Sequence, residues 1–180
     1  MCNVVAYMLV SLDGVAEAPD QFVHDFDEVM YGNLGRVIET QDTVLLGRRS
    51  YDEWAPFWPT STHEPFASFI NGVEKHVVTS TPLEPAWSGA VAVDRPVDEL
   101  VRELKQGSGG DIGVHGSLTL TSSLLAADLV DELRLVVSPV AVGSGRRLWD
   151  GERDAQRWEL VRATGTPSGS VLADYRRTGG

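Results

Sequence analysis

The sequence predicts one α/β domain over residues 1–180, built on a mixed, mostly parallel sheet with flanking helices and a C-terminal antiparallel hairpin. Three observations carry that expectation. Runs such as NVVAYMLV (3–10) and DELRLVVSPV (131–140) are largely apolar and rich in β-branched residues, as strands buried on both faces are. Between such runs lie short segments whose apolar residues recur at three and four, the period of an amphipathic helix. After Pro139 the pattern changes, and RWELVRAT (157–164) and SGSVLADYRR (168–177) flank the turn GTPSG as the arms of a hairpin would.

Taken in order, NVVAYMLV is the first strand. A helix follows over 25–39, where Phe26, Val29, Met30, Leu34, Val37 and Ile38 share one face. TVLLG (43–47) is a strand that runs into two arginines and the expected start of a helix. EWAPFWPTSTHEPF (53–66) is an irregular excursion rich in Pro and aromatic residues, and long loops of this kind often border a ligand. KHVVT (75–79) is the next strand, 97–106 a helix, DIGVHG (111–116) a strand, and 117–126 a helix carrying Leu118, Leu120, Leu124 and Leu125. No internal repeat and no long linker divides the chain.

Composition narrows the function. A chain of 180 residues with 42% hydrophobic and 23% charged residues has the make-up of a globular domain. Its formal net charge of −11 repels phosphate backbones and anionic lipid, so neither nucleic acid nor membrane is an expected partner. Any anionic ligand needs a local cluster of donors and cations. Cys2 is the single cysteine, which excludes an internal disulfide and suits a reducing compartment. The opening MCNVVAYMLVSLDG carries no cationic leader and its apolar run is too short to span a bilayer, so the expected location is cytoplasmic. The four histidines are dispersed, and no metal site is expected.

Phosphate-friendly chemistry recurs at three strand ends. At the first, Gly47 lets a ligand approach the backbone, Arg48 and Arg49 supply charge, and Ser50 opens a helix whose N-terminus attracts anions. The same residues fit equally well as a strand-to-helix turn whose arginines pair with surface acids. At the second, Thr79, Ser80 and Thr81 cluster before Pro82, beyond the carboxyl end of a strand where open α/β sheets bind ligands. At the third, Gly116 permits close approach and the N–H groups of Ser117, Leu118 and Thr119 are free to point at a pyrophosphate. His115 has no visible partner and reads as a strand-end histidine before it reads as a catalyst. Asp13 is the acid that stands out where the first strand leaves the sheet, although a turn residue before Gly14 accounts for it as well.

These segments in this order resemble the dihydrofolate reductase-like family, in the branch of the reductase domain of the bifunctional riboflavin-biosynthesis deaminase-reductase. The resemblance rests on SLDG (11–14), LLGRRSY (45–51), VVTS (77–80), VHGSLTL (114–120), LLAADLVDELRL (124–135) and PVAVGSGRRLW (139–149), which span most of the chain. It implies a three-layer fold with NADPH lying across the carboxyl edge of the sheet. Gly47, Arg48, Arg49 and Ser50 would hold the adenosine phosphates, Thr79 and Ser80 the 2′-phosphate and ribose, and His115, Gly116, Ser117, Leu118 and Thr119 the pyrophosphate. The backbone of Val5 and Ala6 would hold the nicotinamide amide, with Asp13 as the nearby acid.

Two departures follow from the same resemblance. Many members join two glycines by a cis peptide where this chain has His115-Gly116, so a strained or cis bond is expected there. The acid that protonates the pterin in true dihydrofolate reductases falls near Tyr31, with Asp25, Asp27 and Glu28 close by. The expected activity is therefore NADPH-dependent reduction of a C=N or C=O bond in a small heterocyclic or sugar-derived substrate. The alternatives are a catalytically idle nucleotide-binding module and a flavin- or deazaflavin-dependent reductase. Trp54 and Trp58 can wall a pocket or anchor their loop, and Arg146 and Arg147 lie in a Gly-rich loop on the substrate-phosphate side, at a subunit contact, or on a balanced surface. A homodimer is expected through LVDELRLVVSPVAV (129–142) and the C-terminal strands.

Overall fold

The computed structural model describes residues 2–151 and 154–179. In chain order the elements are β1 (Val4–Val10), α1 (Glu28–Ile38), β2 (Gln41–Gly47), α2 (Arg48–Trp54), α3 (Phe66–Gly72), β3 (Glu74–Val78), β4 (Ala90–Val93), α4 (Val97–Leu104), β5 (Asp111–His115), α5 (Leu118–Ala126), β6 (Glu132–Val137), β7 (Trp158–Gly165) and β8 (Val171–Arg177). The strands form one sheet in the order β4-β3-β2-β5-β1-β6-β8-β7. Pairings from β4 through β6 are parallel, and β8 is antiparallel to both β6 and β7.

Strand alternation divides the interior in two. Val4, Ala6, Met8 and Val10 of β1 pack with Leu100 and Val101 of α4 and Leu120, Leu124 and Leu125 of α5. Val5 and Tyr7 point the other way, into a cluster with Met30, Leu34 and Val37 of α1 and Phe66 and Ile70 of α3. Helices thus cover both faces, which is why β1 reads as a continuous apolar run. α1 begins three residues later than its apolar spacing predicts, because Asp27 is its N-cap and accepts the Met30 N–H at 3.0 Å. The other Asp27 oxygen accepts the Ser168 N–H at 3.0 Å and ties the hairpin turn to the helix start.

Two parts of the chain differ from the sequence reading. The stretch 53–66 is less irregular than predicted: α2 runs to Trp54, a 3-10 turn covers Trp58–Thr60, and α3 starts at Phe66. These pieces are too short to show a period. β4 is a four-residue edge strand, partly exposed along its length, that carries no strong strand signal. Within 129–142, β6 sits between β1 and β8, and the sheet's edges are β4 and the C-terminal strand β7. β6 also stops at Val137, just short of Pro139, which cannot donate to a ladder.

Candidate functional site

β2, β3 and β5 end side by side, and their last residues open onto a cavity of about 630 Å³. Gly47, Val78 and Gly116 form its floor, with Arg48, Arg49 and Ser50 on one wall and Ser117, Leu118 and Thr119 on another. α5 starts here without a side-chain cap, so the N–H groups of its first turn have no intrahelical acceptor and face the cavity with the positive end of the helix dipole. The two walls meet closely: a Cβ on Gly47 would lie 2.8 Å from Ser117 Oγ, which makes glycine the residue that lets the starts of α2 and α5 abut. Gly116 turns the chain with φ of +68°, a left-handed conformation that costs a glycine little.

The expected cis bond before Gly116 is absent: the cis peptides among the described residues are Glu64-Pro65 and Glu84-Pro85. The positive φ of a single glycine makes the turn instead. His115 lines no part of the cavity. It is 2% exposed, its ring lies beneath the turn beside Tyr7, Phe66 and Phe69, and burial pushes its pKa down to about 3, so it is a neutral core residue. Val5 and Ala6 are also away from the cavity. They sit mid-strand with β5 on one side and β6 on the other, so their N–H and C=O groups are engaged in the sheet rather than free to hold an amide.

The arginines differ in how far they are committed. Arg48 donates to Asp52 at 2.8 Å, to Thr81 Oγ1 and to the Pro82 carbonyl at 2.8 Å, joining the ends of β2 and β3. Thr79 pairs with Thr81 at 3.1 Å, so Thr79 reaches the cavity wall through Thr81 and Arg48, and Ser80 lies exposed beside it. Among the described residues Arg49 makes only an exposed pair with Glu53, and its side chain is 78% exposed. Such a pair holds little energy and releases the guanidinium readily.

Apart from Arg146, the rim comes from residues that the sequence reading did not single out. Ala16, Glu17, Ala18, Pro19 and Asp20 line the cavity, joined by Arg146, whose Nη2 donates to Thr119 Oγ1 at 3.1 Å. The loop after β1 and the loop holding Arg146 are stitched together by backbone bonds, Leu12 N–H to Val140 at 2.8 Å and Ala16 N–H to Arg146 at 2.9 Å. The sequence points to the Arg146 side of this rim, through its Gly-rich loop, and not to 16–20. Asp13 belongs to the stitching. It accepts from Ser11 Oγ at 2.6 Å and from the N–H groups of Val142 and Gly143 at 3.0 and 2.9 Å, and those bonds hold its carboxyl well below the usual carboxylate range. It lines no part of the cavity. Trp54 and Trp58 form an aromatic cluster with Phe66, and Trp54 supports the turn from below: a Cβ on Gly116 would lie 3.6 Å from its Cζ2.

Comparison with known proteins gives this site a context. The family model of the RibD C-terminal domain matches residues 3–172. The uncharacterized protein YyaP of Bacillus subtilis (strain 168) is 27% identical over 185 residues, covering 98% of this chain and 96% of its own. A solved structure from Shewanella sp. PV-4, of a protein linked to riboflavin biosynthesis, superposes with a TM-score of 0.79 at 16% identity over 98% of this chain and 99% of that one. The diaminohydroxyphosphoribosylaminopyrimidine deaminase/5-amino-6-(5-phosphoribosylamino)uracil reductase of Thermotoga maritima gives 0.66 at 15% identity, over 98% of this chain and 57% of its own. At those identities the two structures share the fold.

Proposed function

Because the chain belongs to the RibD C-terminal domain family, we propose that it is an NADPH-dependent reductase of a C=N or C=O bond in a small heterocyclic or sugar-derived substrate. The observation that carries this reading is the cavity itself. In a protein of net charge −11, three arginines and the uncapped start of α5 converge where three parallel strands end, and a ligand with several phosphates matches that donor set. The closeness of Gly47 to Ser117 and the bare Gly116 leave backbone within reach of a pyrophosphate.

In this reading Gly47, Ser50, Ser117, Leu118 and Thr119 hold the phosphates through backbone and hydroxyl donors. Arg49, with Arg48 and the Thr79–Ser80 end of β3, takes the 2′-phosphate. NADPH, when bound, supplies the hydride, while the chain's own task is orientation and exclusion of water. Asp13 acts as a clamp on the rim rather than as a proton donor, since its oxygens are already committed and it stays ionised.

The test is titration of the protein with NADPH and NADH. Tighter binding of NADPH is expected, and superimposable curves overturn the 2′-phosphate assignment. Binding without turnover over a panel of pyrimidine and pterin substrates would reduce the protein to a nucleotide-binding module, and a yellow protein as purified would replace the nicotinamide by a flavin. The same proposal includes a cytoplasmic location and a homodimer through the β7 edge, where Leu160 and Val161 are exposed. A monomeric mass by light scattering at micromolar concentration would reject the dimer.

A further inference from the structure

Gly113 occupies the middle of β5, a central strand where glycine weakens pairing and packs nothing. It lies between Val5 of β1 and Val44 of β2. Its missing side chain leaves a gap on the face covered by α1 and α3, and two side chains meet across that gap along the strand direction. Gln41 comes from the start of β2, His115 from the end of β5, and Gln41 Oε1 lies 2.7 Å from His115 Nε2. A Cβ on Gly113 would lie 2.0 Å from Gln41 Oε1 and 2.9 Å from His115 Nε2. The crowded atoms are the bonded pair itself, so no small shift relieves the clash and keeps the bond.

Among the described residues His115 makes no second hydrogen bond, and packing on Tyr7, Phe66 and Phe69 leaves the polar side of the ring to Gln41 alone. The ring's Nδ1 is buried without a partner, and an amide oxygen only accepts, so the proton sits on Nε2 and points at Gln41. The next residue is Gly116, whose φ of +68° opens the turn onto the cavity and which has no side chain to hold that conformation.

We propose that Gln41 and His115 are positioning residues for the Gly116 turn, held together by a hydrogen bond that Gly113 lets pass. The proposal rests on the reading of the cavity as the cofactor site. Gln41 fixes the imidazole, the imidazole fixes the end of β5, and the turn starts from a defined direction.

The test uses the full chain as Gln41→Ala, Gly113→Ala and the double variant, each measured for thermal midpoint, NADPH dissociation constant and ligand-free amide hydrogen exchange at residues 116–119. Losing one buried hydrogen bond weakens NADPH about tenfold in each single variant and speeds exchange at the turn. In the double variant the clash with Gln41 is gone and the 2.9 Å approach to His115 Nε2 remains, so its midpoint rises from that of Gly113→Ala toward that of Gln41→Ala alone, while NADPH binding stays as weak as in either single variant. NADPH affinity that recovers in the double variant, or that follows the midpoint across all three, makes the trio structural only and overturns the proposal. A parent protein that does not bind NADPH refutes the functional reading. The positioning role is then decided by exchange alone, and unchanged rates at 116–119 in Gln41→Ala overturn it.

Discussion

The two halves of the sheet treat polar side chains in opposite ways. Where β2, β3 and β5 end, donors are left partly unspent: α5 starts uncapped, and Arg49 holds only an exposed contact. Across β6, β8 and β7 charged side chains pair with one another, although Trp158 Nε1 and Arg177 Nη1 stay without a partner among the described residues. Asp174, 3% exposed, is met by Arg36 at 2.7 Å, Arg134 at 3.0 Å and Arg162 at 3.7 Å, and Asn33 Oδ1 accepts from Arg36 and Arg162. Arg134, Asp174 and Arg162 stand opposite one another in strand register, and the same row continues through Tyr7 to His115. Antiparallel neighbours can satisfy each other side by side. Parallel strands all finish at one edge, and what projects beyond that edge is available to a ligand.

The comparison breaks most sharply at Gly116. Valine there would place its Cβ 3.6 Å from Trp54 Cζ2, beneath the turn, and at a φ that branched residues resist, so the turn itself must deform. Gly116→Val is expected to abolish NADPH binding while circular dichroism shows the fold retained, because β5 and the apolar face of α5 are untouched. A variant that folds and binds like the parent would remove this turn from the cofactor site. The mirror experiment is Asp174→Ala. It removes the carboxylate that Arg36, Arg134 and Arg162 share, leaves Arg134 with Glu132 as its remaining partner, and should cost roughly 1.5 to 3 kcal/mol of stability in urea unfolding, with the NADPH dissociation constant unmoved. A loss of affinity matching the loss of stability would show that the two halves are coupled.

A smaller effect is expected from Arg48→Ala combined with Arg49→Ala. A charge-assisted contact to phosphate contributes about 1.5 to 3 kcal/mol, so NADPH should weaken at least tenfold while NADH changes little. Equal weakening of both cofactors would place the arginines at the pyrophosphate and leave the 2′-phosphate without a cation.

How much of this was legible in the sequence depends on distance along the chain. The mostly parallel sheet and the C-terminal hairpin were readable because β1, β5 and β6 are buried on both faces and β7 and β8 are joined by a turn holding Gly169 at positive φ. The strand ends stood out because Gly47-Arg48-Arg49-Ser50 and Gly116-Ser117 concentrate glycine, hydroxyl and charge in a few consecutive residues. Of the rim, Arg146 stood out in its Gly-rich loop and 16–20 did not, since Ala16 meets Arg146 only through a backbone bond between distant loops. Gln41 was invisible for a related reason: its partner is 74 residues away, and the glycine between them looks like any other. The placing of Val5 and Ala6 relied on resemblance, and the register shows both engaged within the sheet.

The row from Asp174 to His115 ends on a residue whose protonation can be followed. An ordinary histidine titrates near pH 6.5, whereas burial holds His115 down to about 3. As pH falls through 6.5 the unfolded chain binds a proton at this residue and the folded chain does not, so folding loses stability continuously until the folded value is reached. The full slope is about 1.4 kcal/mol per pH unit, which amounts to about 2 kcal/mol between pH 7 and pH 5. Asp13, held below the usual carboxylate range, contributes its own loss only at lower pH, where carboxylates begin to protonate in the unfolded chain. The window from pH 7 to pH 5 therefore isolates the imidazole. His115→Phe keeps an aromatic ring among Phe66 and Phe69 and removes the titrating group. Urea unfolding at several pH values should give a falling stability for the parent and a flatter profile for the variant. Parallel profiles would mean that His115 takes up its proton in the folded state as readily as in water, and the neutral, Gln41-bonded imidazole beneath the turn would have to be abandoned.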